Sequence, residues 1–140
     1  MSAGSGVIHA EYNASETEPM SLFQLWFMPA KRGMEPSFEN VTYEPEKMVN
    51  HLLPVVTPEG GPNIAKIYQD MSIYLSKLDA GKELQFEQGE NRRIFLMLVS
   101  GKCTANDAVL ETKDSARMQN ESVLTIRALE NTHFMLIDLP

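Results

Sequence analysis

Hydrophobic and polar positions change their rhythm along this chain, and the clearest rhythm begins at Ile64. From there on, strand-length segments alternate with turn signals. Ser72 to Leu78 sets Ile73 and Leu75 against Ser72, Tyr74 and Ser76. Leu84 to Glu87 is short, Ile94 to Val99 is a continuous apolar run, and Ala105 to Leu110 and Ser115 to Met118 are brief. Ser122 to Leu129 sets Leu124, Ile126 and Ala128 against Thr125 and Arg127, and Phe134 to Leu139 closes the chain. Asp79-Ala80-Gly81, Gln88-Gly89-Glu90-Asn91, Ser100-Gly101 and Asn131-Thr132 punctuate these segments. Short strands separated by turns every eight to twelve residues or so predict an all-β sandwich or small barrel. The jelly-roll architecture belongs to that class.

The first third reads differently. Val7 to Tyr12 suits a strand, preceded by Gly4 and Gly6, which allow a tight turn. A polar connection, Ala14 to Pro19, leads to Met20–Met28, MSLFQLWFM. There Phe23, Leu25 and Phe27 share one face of an expected strand, and Leu22, Gln24 and Trp26 the other. A strand apolar on both faces is buried on both sides or meets a partner. Pro29 ends it, since proline cannot donate to a ladder. Ala30 to Asn40 reads as an exit loop. Tyr43 to Val56 fits either one helical turn or an extended crossing, and Thr57 to Asn63, TPEGGPN, is a turn.

Composition narrows the function. With 140 residues, 43% of them apolar, the chain has a core-forming content. A net charge of −7 argues against a nucleic-acid surface, which needs clustered Lys and Arg. Lys31-Arg32 and Arg92-Arg93 are too short to be more than solvated charges. No stretch approaches the ~20 apolar residues of a membrane span, and no signal pattern opens the chain. The single Cys103 cannot make an internal disulfide, which fits a reducing cytoplasm; it reads as a spare thiol near a turn.

Candidate chemistry is confined to His9-Ala10-Glu11. Along a strand, residues i and i+2 point the same way, so the imidazole and the carboxylate look into one space. One neutral nitrogen and one anionic oxygen suit Fe(II), Mn(II), Ni(II) or Zn(II). Two ligands do not hold a metal, and the plain alternative is a polar strand end. His51 beside Leu52 and Leu53 reads as packed or surface. Gln85 and Glu87 share a face that is most simply solvated, and His133 has no carboxylate or histidine at strand spacing. Neither a dinucleotide-binding glycine pattern nor a Gly-x-Ser-x-Gly elbow occurs.

SAGSGVIHAEYNAS followed by SLFQLWFMPAKRGMEPSFE resembles the middle of a pirin-family protein, a two-domain cupin. The likeness continues more loosely through YQDMSIYLSKLDAGKEL and FMLIDLP. It implies a cupin-like jelly-roll in residues 44–140, without metal, preceded by the last strands of a first barrel and its exit loop in residues 1–43. In that family the stretch at His9 and Glu11 gives two of four ligands to one metal, Fe(II) or another divalent transition metal, and a His-x-His pair gives the rest. Some bacterial members open flavonols such as quercetin with dioxygen, and the resemblance then makes Glu11 a catalytic residue handling the substrate's hydroxyl proton. No His-x-His occurs in this chain.

Two expectations follow. In the first, the chain derives from a pirin-type dioxygenase and, as a truncated form, is inactive until upstream residues complete the metal site. In the second, it is a metal-free binding or structural module acting through protein partners. An in-frame His-x-His strand upstream of Met1 favours the first, and a stop codon the second. Residues 7–28 are expected to join copies into a homo-oligomer, because an exposed apolar edge is a template for pairing.

Overall fold

A run such as Ile94–Val99 has no polar side, so it becomes a stable strand only where both of its faces are covered. That condition is met in the second of two units into which the computed structural model, describing residues 1–140, divides: Met1–Phe38 and Glu39–Pro140. The exit-loop residues Glu39 to Tyr43 gather with the second unit.

The second unit opens with a 3-10 turn at Pro45–Met48, where Pro45 stands at the start and needs no N–H partner. Ten strands follow: β1 Leu53–Thr57, β2 Ala65–Lys66, β3 Ser72–Leu78, β4 Glu83–Glu87, β5 Arg93–Ser100, β6 Lys102–Ala105, β7 Ala108–Glu111, β8 Ser115–Gln119, β9 Val123–Ala128 and β10 Thr132–Leu139. So the region 43–56 contains both the helical turn and the extended crossing. The strands form a six-stranded sheet, ordered β2-β1-β3-β10-β5-β8, and a four-stranded sheet, ordered β4-β9-β6-β7. Only the β1–β2 pair is parallel.

The two sheets share one apolar core. Leu78, Ile94, Leu96, Leu98, Phe134 and Leu136 reach it from the larger sheet, and Cys103, Leu110, Leu124 and Ile126 from the smaller. The opposite face of the larger sheet is covered as well: Ile73, Met135 and Ile137 are buried there, with Ile137 opposite Ile73 in the ladder. This accounts for the absence of a polar side in Ile94–Val99. In contrast, β4 alternates cleanly. Leu84 and Phe86 pack on the core, while Glu83, Gln85 and Glu87 are exposed, so the shared face of Gln85 and Glu87 is a solvated one.

Three expectations need revision. In β3 the division of faces holds, but the polar-looking set is the one turned into the core. Tyr74 packs edge-on against Phe86 with ring centroids 5.5 Å apart, and fully buried Ser76 donates its hydroxyl to the Met48 carbonyl at 3.5 Å. The segment Ala105 to Leu110 is no single strand. Asn106 adopts φ +48° and its backbone N–H and side-chain carbonyl bind Thr125, so the chain reverses there between β6 and β7. Third, no strand forms within residues 1–43. A ladder needs a neighbour, and neither Val7–Tyr12 nor Met20–Phe27 makes a backbone–backbone hydrogen bond.

Six non-glycine residues have positive φ, and all but Lys113 are asparagines. In the second unit, close approach makes Gly101, between β5 and β6, indispensable. Its φ is +93°, and a Cβ there would run into the Asn131 carbonyl and Thr132.

Candidate metal centre

The His9–Glu11 segment is reached through a tight turn. Gly4 adopts φ +55° with no room for a Cβ against the Met34 to Pro36 backbone, and the Gly6 N–H donates to the Ala3 carbonyl at 2.8 Å. Ser2 and Ser37 exchange backbone hydrogen bonds of 2.8 and 2.9 Å, tying the two ends of the first unit. Between these ties the chain runs past His9 without a partner strand.

His9 and Glu11 nonetheless face one another. His9 Nε2 lies 3.5 Å from Glu11 Oε1, with the side chains 32% and 48% exposed. Gln24, from the apolar MSLFQLWFM stretch, joins them. Its Nε2 is 3.3 Å from His9 Nε2 and donates to Glu11 Oε1 at 3.5 Å. An amide nitrogen can only donate, so toward Gln24 the His9 Nε2 is the accepting nitrogen, with its lone pair directed at that amide. These contacts are long and correspondingly weak. The donor set, one imidazole nitrogen and one carboxylate, suits a divalent metal in kind, as two positions of a coordination sphere. No group of three or more His, Cys, Asp or Glu side chains that could hold a metal gathers anywhere in the chain. Gln24 was the residue that sequence reasoning passed over, although its place on the opposite face from Phe23, Leu25 and Phe27 was legible.

The remaining histidines stand apart. His51 is exposed, with Nδ1 2.8 Å from the Val49 carbonyl. His133 lies in β10 opposite Lys77 and Ser100, and its Nε2 is buried without a partner. Burial, then the charge of Lys77, pushes its pKa below the ordinary 6.5. Cys103 is fully buried, and burial alone pushes its thiol up to about 11, which leaves it inert as a nucleophile.

Arg92 corrects the expectation that Arg92-Arg93 is merely solvated. Its Nε donates to both carboxylate oxygens of Asp138 at 2.9 and 2.8 Å, and Nη1 donates to Asp70 Oδ1 at 2.9 Å. The guanidinium is 22% exposed and the Asp138 carboxylate 15%. Arg93 Nε reaches the Pro140 carbonyl at 2.7 Å. These partners are far away in sequence, so spacing could not reveal them. An open cleft lined by Glu39, Glu59, Gly60 and Lys66 adds no second centre, since Glu39 Oε2 already accepts the Lys66 N–H at 2.6 Å. No helix is long and apolar enough to cross a membrane.

Two facing sheets with jelly-roll strands around one apolar core define a cupin. Residues 54–139 match the family model of the quercetinase C-terminal cupin domain, and the chain belongs to the pirin family. It is 31% identical over 140 residues to quercetin 2,3-dioxygenase of Escherichia coli K12, covering all of this chain and 59% of that protein. It is 34% identical over 141 residues to a protein of Pasteurella multocida named putative quercetin 2,3-dioxygenase, again covering 59% of that protein. Among solved structures, Escherichia coli YhhW superposes with a TM-score of 0.77 at 26% identity, over 82% of this chain and 48% of that one. The same bacterial pirin in complex with nickel(II) gives a TM-score of 0.76 at 26% identity, with the same coverage. The chain thus spans about three-fifths of the length of the curated relatives it matches.

Proposed function

We propose that this chain carries part of the centre of a metal-dependent dioxygenase of the quercetin 2,3-dioxygenase type, acting on flavonols, with Fe(II) or another divalent transition metal as cofactor. The observation behind the reading is the approach of His9 Nε2 and Glu11 Oε1 to 3.5 Å, with Gln24 touching both. The names of the relatives and the nickel(II) in a related pirin support it. When bound, such a metal supplies Lewis-acid polarisation and an open coordination position. His9 would offer the metal the Nε2 lone pair that the Gln24 amide now contacts. Glu11, an acceptor-only carboxylate, offers one oxygen to the metal and receives the proton that a flavonol hydroxyl sheds.

A four-ligand sphere of the pirin kind needs two donors beyond His9 and Glu11. The 140-residue chain alone is therefore expected to hold metal weakly and to leave flavonols intact, because affinity depends on the full ligand set. Metal analysis after dialysis against Fe(II) or Ni(II), with quercetin turnover measured in parallel, tests this. Stoichiometric metal retained by a chelator-treated, monomeric sample of this chain would overturn the two-ligand reading. In a longer product that supplies a His-x-His pair, one metal per chain is expected, and His9→Ala should abolish it.

A further inference from the structure

We infer that Gln24 is a positioning residue of the His9–Glu11 pair: its amide keeps the ring proton off His9 Nε2, so that this nitrogen awaits a metal as a free donor. The role rests on the metal centre proposed above, while the contacts that assign it lie within this chain. A neutral imidazole carries its proton on one ring nitrogen and a lone pair on the other. Which nitrogen takes the proton is set by the groups that meet the ring.

Three atoms make the choice here. Gln24 Nε2 lies 3.3 Å from His9 Nε2 and 3.5 Å from Glu11 Oε1, and those two are 3.5 Å apart. The amide nitrogen has two hydrogens and accepts none, so the triangle gives each hydrogen one acceptor. A proton on His9 Nε2 would set donor against donor across the shortest of the three distances. It goes instead to Nδ1 and to water, since the side chain is 32% exposed. Residue type matters as much as place. Gln24 is the one amide in a run otherwise apolar from Leu22 to Met28. A glutamate there would repel Glu11 and give His9 no hydrogen, and a lysine would set a positive charge against an incoming cation. The amide donates without charge, and a carboxylate oxygen that accepts it has lone-pair capacity left. The imidazole nitrogen has only one lone pair, which cannot serve an N–H and a metal together. Metal uptake at His9 must therefore release the Gln24 amide from the ring.

Ring-nitrogen NMR shifts of the whole chain, read at pH 8 in chelator so that metal plays no part, test the tautomer. His9 should be mainly the Nδ1–H form. Gln24→Met keeps the side chain's length at an exposed position and removes the donor. It should move the His9 ratio toward Nε2–H by at least about threefold, the order of one neutral hydrogen bond. His51 and His133 should keep their shifts, which shows the fold intact. A parent with His9 mainly in the Nε2–H form, or a variant whose His9 ratio is unchanged, overturns the inference. Titration with Zn(II) to millimolar concentration reads the metal separately. The His9 Nε2 signal and the Gln24 side-chain amide signals should then move together. Zinc bound at His9 with the Gln24 signals unmoved overturns the shared lone pair, whereas zinc that leaves His9 untouched overturns the metal reading and not the tautomer.

Discussion

The strand β5 is flanked by β10 on one edge and β8 on the other, with one face buried in the core and the other half-buried. Met20–Met28 has much the same apolar content, yet it has neither flanking strand and its side chains remain largely exposed. Leu98 at 0% exposure and Trp26 at 84% mark the two outcomes. The comparison separates what an apolar run contributes from what its neighbours contribute. The run creates a tendency to be buried. Partner strands decide whether the backbone can follow, since an extended segment without a ladder leaves its polar groups to water.

Four substitutions or probes would break or sharpen this contrast. The largest effect is expected from Leu98→Asp, which buries an unpaired charge in the shared core and should cost several kcal/mol, about the whole margin of an ordinary domain. The matching Leu25→Asp in the first unit should shift the melting curve of the second by no more than about 0.5 kcal/mol. Equal losses in the two variants, followed by circular dichroism, would erase the distinction. Next comes thiol chemistry. With its pKa raised to about 11, Cys103 should react with an aromatic disulfide at pH 8 at least roughly a hundredfold more slowly than a cysteine placed at exposed Ile8. Comparable rates at both positions would show the core to be open.

Arg92→Ala should cost about 1–3 kcal/mol in urea unfolding, because Asp138 is left mostly buried without the charged N–H that its two oxygens share. Arg32→Ala, on an exposed bend of the first unit, should cost almost nothing. The smallest effect belongs to His133. Its folded pKa lies below 6.5, so the unfolded chain takes up the proton first as pH falls. The stability this histidine contributes is therefore complete above pH 6.5 and declines below it, until the folded imidazole also protonates. His133→Gln should flatten that decline and leave the stability at pH 8 nearly unchanged; an unaltered slope between pH 6.5 and 5 would remove His133 from the account.

Most strands of the second unit were legible because alternation and turn chemistry are local. Leu124, Ile126 and Ala128 point inward as their spacing requires. The His9–Glu11 approach was legible for the same reason, since two residues two apart share a side wherever the chain is extended. What escaped depends on meetings across the fold. Arg92 finds Asp138 only after β5 and β10 pair, and Tyr74 turns inward only because Phe86 waits on β4. The hairpin at Asn106 was a local signal overlooked, as asparagine tolerates the left-handed backbone that the turn demands. That Met20–Met28 joins no sheet lies outside any local pattern, because a ladder is set by the strands that lie beside it.

The place of β10 between β3 and β5 has a consequence for how this domain comes into being. Ile137 pairs with Ile73 on one side and Phe95 on the other, so the central rung of the larger sheet is laid by the last of the ten strands to be synthesised. Until they emerge, β3 and β5 can fold their own turns but have nothing between them, and each presents a bare edge while translation continues. Closing contacts over such sequence distances is slow. The nascent domain is thus most prone to mispairing before β10 emerges, and a ribosome stalled before Thr132 would hold a domain with an open seam through its middle.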